Sequence, residues 1–63
     1  MQAYRILARN TKTKQRLEQQ FLNGYKVTNE LEALRLAQDF AEKQSRRSRD
    51  TWEAQIEVYT VKS

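Results

Sequence analysis

Polar and apolar residues alternate along Gln2 to Asn10, with Tyr4, Ile6 and Ala8 on one side and Arg5, Leu7 and Arg9 on the other. A period of two is that of a strand with one face buried. The alternation returns from Thr51 to Lys62, where Trp52, Ala54, Ile56 and Val58 share one face and Glu53, Gln55, Glu57, Tyr59 and Val61 the other. Between these strands, Asn29 to Gln44 repeats at helical spacing. Turning about 100° per residue gathers Ala33, Leu34, Leu36, Ala37, Phe40 and Ala41 into one core-facing arc. Thr28 or Asn29 is placed to cap the helix, and Glu30 and Glu32 occupy the first turn, where the helix dipole favours anions. Leu31 falls outside the arc, as an N-terminal contact or part of a second apolar surface.

Gln15 to Leu22 reads two ways. Leu17, Gln19 and Phe21 alternate as in a strand, whereas the Glu and Gln residues favour helix and Asn23-Gly24 is able to close one. A strand is the consistent choice, because a helix here would leave a sheet of only two members, fewer than independent stability usually requires. Asn10 to Lys14 then forms the hairpin connection, without the Asn-Gly pair that marks the tightest turns. Gly24 marks a bend or bulge, and Tyr25 and Val27 lead under the core to the helix.

The predicted order is strand, strand, helix, strand: an α+β, ββαβ fold occupying residues 1–63 as a single domain. A right-handed crossover from the second strand through the helix sets the third strand beside the first. The sheet is then three-stranded and antiparallel, in order 2-1-3, with the helix packed on one face.

Composition narrows the chemistry. A chain of 63 residues buries only about 60% of its unfolded surface and is expected to be marginally stable. Cysteine and histidine are absent, which removes disulfides, thiolate and imidazole metal ligands, and the commonest general base. The carboxylates Glu32, Asp39 and Glu42 lie on the solvated side of the helix, where no pocket is expected. There is no Gly-rich phosphate loop and no EF-hand spacing. The expectation is a non-enzymatic protein with no catalytic residues, cofactor, metal or small-molecule substrate. No segment has the apolar length of a membrane span, and Met1 leads into a mixed polar stretch, so a cytoplasmic protein without a membrane partner is expected.

Charge is where the chain is most informative. Twelve Lys and Arg against eight Asp and Glu give a net charge of +4, but the distribution is uneven. From Met1 to Thr28, six cations stand against Glu18 alone, whereas Asn29 to Gln44 is net acidic. The topology brings the hairpin and the segment after the helix to one end of the sheet. Arg9, Lys12, Lys14 and Arg16 would there meet Lys43, Arg46, Arg47 and Arg49 in the loop after the helix. Arginine forks match phosphate oxygens, and Thr11, Thr13, Ser45 and Ser48 add hydroxyl donors. The expected partner is nucleic acid, or an acidic protein surface of similar charge. Solvated loop cations that complement the helix dipole are the competing explanation. No stacking aromatic sits inside either basic segment, which argues against a dedicated single-strand binder.

A second surface is the sheet face away from the helix, with Leu7, Tyr59 and Val61 among Arg5, Glu53, Gln55 and Glu57. It is either a solvated face with scattered apolar residues or a protein interface, and homodimerisation is the simplest use of it. Arg5 opposite Glu57 is a candidate cross-strand pair. The third strand is expected at a sheet edge, open to strand addition. Trp52, Tyr4, Phe21 and Phe40 are expected in the core.

In size and layout, the Tyr-Arg-Ile-Leu-Ala-Arg strand, the Asn-Glu-Leu-Glu-Ala-Leu-Arg-Leu-Ala-Gln-Asp-Phe-Ala helix and the Glu-Val-Tyr-Thr-Val strand resemble the small accessory proteins encoded in the early regions of temperate, lambda-like phages. The resemblance implies modest regulation through binding of host machinery or nucleic acid, with no chemistry of its own. Such proteins share architecture without a shared mechanism, so no functional residue carries over.

Overall fold

The computed structural model describes residues 1–62. Strand β1 (Gln2–Asn10) is central in a three-stranded antiparallel sheet of order β2-β1-β3, with β2 at Arg16–Glu18 and β3 at Trp52–Thr60. The single helix α1 (Glu30–Ser48) lies across β1 and β3 on one face. The fold is the expected α+β arrangement. β1 and β3 pair without interruption from Gln2↔Thr60 to Asn10↔Trp52.

The second strand is far shorter than the alternation of Gln15 to Leu22 suggests. Only Arg16, Leu17 and Glu18 pair with β1, opposite Arg9, Ala8 and Leu7. Gln19 N–H still reaches Ile6 O at 2.9 Å, and then the chain leaves the sheet. It makes a single 3₁₀ turn at Leu22–Gly24, with Asn23 and Gly24 both at positive φ. It returns where Val27 bridges Tyr4, whose N–H donates to Val27 O at 2.8 Å. Between Glu18 and Val27 the chain takes nine steps, while β1 takes three from Leu7 to Tyr4, so six residues are looped out. The loop folds over itself: Phe21 packs against the core and meets Tyr25 edge-on at 5.6 Å, and Tyr25 O–H donates to Glu32 at 2.9 Å. A cleft of about 210 Å³ remains between loop and sheet, at the end of the molecule where the helix begins.

The core is built from small side chains. Ala33, Ala37 and Ala41 let the helix approach the sheet closely, and Ile6 and Val27 are the largest side chains fully buried. Tyr4, Phe21, Leu36, Phe40, Ala54 and Ile56 pack around this centre while remaining partly exposed. Leu34, expected in the buried arc, is 40% exposed on the flank of the helix. Trp52 is half-buried, with its indole N–H donating to Ser48 Oγ at 2.7 Å. At the start of the helix, Asn29 accepts from Glu32 N–H at 3.0 Å, the N-cap bond its sequence position suggests.

Candidate nucleic-acid interface

The hairpin and the loop after the helix are joined at one end of the sheet by Asn10. This asparagine ends β1 and is 3% exposed. Its Oδ1 accepts from the N–H groups of Lys12 at 2.8 Å and Thr13 at 3.0 Å, which closes the turn locally. Its backbone closes the hairpin, donating to Gln15 O and accepting from Lys14 N–H. Its Nδ2 donates to Asp50 Oδ2 at 3.3 Å, beyond the helix. Thr11 adds two bonds to the same loop, from its N–H and its hydroxyl to Thr51 O.

Three of the eight cations expected at this end are engaged by carboxylates: Arg16 with Glu57 at 3.6 Å, Lys43 with Asp39 at 3.0 Å and Arg46 with Glu42 at 2.6 Å. Arg9, Lys12, Lys14, Arg47 and Arg49 have no carboxylate within 4.0 Å among the described residues. The helix runs four residues beyond Gln44, so Lys43, Arg46 and Arg47 stand on its last turns and only Arg49 belongs to the following loop. The extension is held by Ser45, whose Oγ accepts from Trp52 N–H at 3.0 Å, and by Ser48, whose hydroxyl donates to Gln44 O at 2.8 Å. These serines are therefore structural links as well as hydroxyl carriers.

Two cations occupy backbone positions suited to glycine. Lys14, at the end of the hairpin loop, has φ 66°, and Arg49, the helix C-cap, has φ 60° while its N–H closes on Ser45 O at 3.0 Å. The left-handed region costs an L-residue about 1–2 kcal/mol relative to its preferred conformations. Glycine escapes that penalty and is the usual residue at such helix ends. The remaining non-glycine residue at positive φ is Asn23, a type that tolerates it.

An aromatic side chain does belong to the basic end, although neither basic segment contains one. Phe40 lines a shallow concavity of about 420 Å³ together with Lys43, Gln44, Arg46 and Arg47 on one flank of the helix. In sequence Lys43, Gln44 and Arg47 stand at i+3, i+4 and i+7 from Phe40, but Phe40 belongs equally to the core-facing arc, so the spacing does not single it out. Asn10 and Asp50 are the other residues missed: a lone Asn at the end of a strand carries no chemical signature until the loop it binds is known.

The open sheet face is closed by charge. Arg16 on β2 and Glu57 on β3 reach across β1 to each other, and their positions diagonal to Leu7 in the register carry this ion pair over it. Leu7 is accordingly 6% exposed. Arg5 stands opposite Glu57 but pairs with Glu18 at 3.6 Å and lies 4.7 Å from the ring centre of Tyr59. Val61 follows the end of β3 and donates its N–H to Met1 O at 2.8 Å.

Among the described residues, no helix is long and apolar enough to cross a membrane, and no three His, Cys, Asp or Glu side chains converge on a metal position. No protein-family model matches the chain, and comparison with curated proteins and with solved structures returns no match.

Proposed function

We propose that this protein is a non-enzymatic regulator that binds nucleic acid, free or within a nucleoprotein complex, through the end formed by the hairpin and the helix C-terminus. The observation that carries this reading is the pair Lys14 and Arg49, two cations held at positive φ on the two loops that Asn10 ties together. Left-handed backbone in non-glycine residues persists where the surroundings over-determine it, and such strain clusters at functional sites. Here the side chains retained in place of glycine are both cations. Arg9, Lys12 and Arg47 add unpaired charge around them, which suits the phosphate backbone and supplies affinity that falls with salt. Phe40 beside Arg47 and Lys43 adds an apolar surface for a sugar or an unpaired base.

The test is binding of labelled duplex DNA, single-stranded DNA and RNA at two salt concentrations. Wild type is compared with a variant carrying Lys12→Ala, Lys14→Gly, Arg47→Ala and Arg49→Gly. The reading expects salt-sensitive binding by wild type, and a folded variant whose log–log salt slope is smaller by about three to four. Absence of binding to all three at low salt would reject it.

A further inference from the structure

The outer edge of β3 is unpaired from Ala54 to Thr60, its first outward amide, Trp52 N–H, being taken by Ser45 Oγ. The strand contains neither lysine nor proline, and its pairing with β1 has no bulge. Those are devices by which edge strands commonly avoid other strands. Thr11 N–H donates to Thr51 O and Val61 N–H to Met1 O, so odd-numbered residues of β3 turn their amides inward to β1. Ala54, Ile56, Val58 and Thr60 turn theirs outward.

The helix flank above this edge carries two exposed leucines beside the polar Gln38. Ser45 marks that flank by its bond to Trp52 N–H, while Glu32, bonded to Tyr25, marks the opposite one. Rotation of about 100° per residue puts Leu31 and Leu34 on the Ser45 flank. Counting back from the Ser45–Trp52 contact, at about 1.5 Å per helical residue and 3.3 Å per strand residue, Leu34 comes level with Glu57 and Leu31 with Val58 or Tyr59. Leu31 is 75% exposed, Leu34 40% and Val58 56%. An unpaired strand edge and three uncovered aliphatic side chains thus lie together.

We propose that a second copy of this chain covers them, by antiparallel pairing of β3 with β3 about a two-fold axis near Ile56. The helix lies over β1 and β3 alike, one strand spacing from such an axis. The two helices would therefore stand about 10 Å apart, a normal packing distance, with Leu34 of each near the seam. The same axis sets Val58 against Ala54, Glu57 against Gln55 and Glu53 against Tyr59; the two copies' Glu57 side chains lie diagonal to each other, each already paired with Arg16 of its own chain. It also sends the two basic ends in opposite directions, which suits a chain of net charge +4.

Sedimentation equilibrium across a wide range of protein concentration tests this, with circular dichroism as the check on folding. Wild type is expected to approach twice the 7.6 kDa of one chain. Val58→Pro removes an outward amide together with one of the three aliphatic side chains, and Leu34→Glu places a charge at the helix seam; each is expected to sediment as a monomer. If either variant fails to fold, Leu31→Glu decides, at a position 75% exposed in the single chain. A wild type that stays at 7.6 kDa throughout, or folded variants that still dimerise, overturns the proposal. The outcome is independent of nucleic-acid binding, since none is present.

Discussion

Asn10 Nδ2 and Asp50 Oδ2 meet at 3.3 Å across forty residues of sequence, and this contact helps to make two basic segments into one surface. Asn10 spends every polar group it has there, two on its own turn through Oδ1, one on Asp50 and two through its backbone. Asn10→Ala is expected to destabilise the protein by about 1–3 kcal/mol, because two turn amides lose their acceptor in a half-buried setting. Asp50→Ala should cost less, about 1 kcal/mol, since it removes one longer bond. Urea denaturation measures both, and a loss for Asp50→Ala above that for Asn10→Ala would contradict this hierarchy.

Lys14 and Arg49 give stability and binding opposite signs. Glycine at either position relieves the left-handed backbone, so Lys14→Gly and Arg49→Gly should each raise stability by roughly 0.5–1 kcal/mol after the added freedom of the unfolded chain is deducted. Under the proposed function, each should also weaken nucleic-acid binding by removing a cation available to phosphate. Alanine at the same positions removes the charge and keeps the strain, so it weakens binding without stabilising. Thermal melts and binding titrations on the four variants separate the two effects.

The alternation in β1 and β3 was legible because it sets which residues turn toward the helix, whereas their register was not, since a period of two fixes the face and not the partner. The helix beyond Gln44 was not: Ser45, Arg46, Arg47 and Ser48 offer no apolar residue, and the last turn is held by Trp52 and by a left-handed Arg49. The second strand was half legible. Leu17 sits on the helix side opposite Ala8 as its alternation implies. The departure after Gln19 depends instead on Phe21 reaching the core and Val27 returning to Tyr4, contacts that local pattern does not encode. The hairpin and the helix end nevertheless meet, because their proximity depends only on the strand order and on where the helix finishes.

Leu7 separates the appearance of a binding face from its fact. It faces away from the helix, yet it is 6% exposed beneath the Arg16–Glu57 pair. Leu7→Ala is expected to cost about 2–3 kcal/mol, the loss of a buried aliphatic side chain. Arg16→Ala should cost under about 1 kcal/mol, as exposed ion pairs do, and that loss should shrink in high salt. Denaturation of both variants at low and high salt checks the contrast. A Leu7→Ala variant as stable as wild type would show that this face is solvated in the ordinary way.

Tyr25 supplies a pH signature for the looped-out segment. Its hydroxyl donates to the Glu32 carboxylate at 2.9 Å. That bond and the negative charge of Glu32, with a smaller contribution from desolvation, hold the phenol above its ordinary pKa of 10.0. The folded chain therefore keeps the phenolic proton to higher pH than the unfolded chain does. Stability from this contact is fully present below pH 10.0 and is lost as pH rises through the folded value. Ultraviolet titration of the tyrosinates should show one phenol that ionises late in wild type and earlier in Glu32→Gln, which retains an acceptor and removes the charge. Because the bond links the loop to the first turn of α1, Tyr25→Phe should make the loop amides exchange faster while leaving those of the hairpin at the basic end unchanged. Equal exchange in the two proteins would mean that Phe21 in the core holds the loop without help from Tyr25.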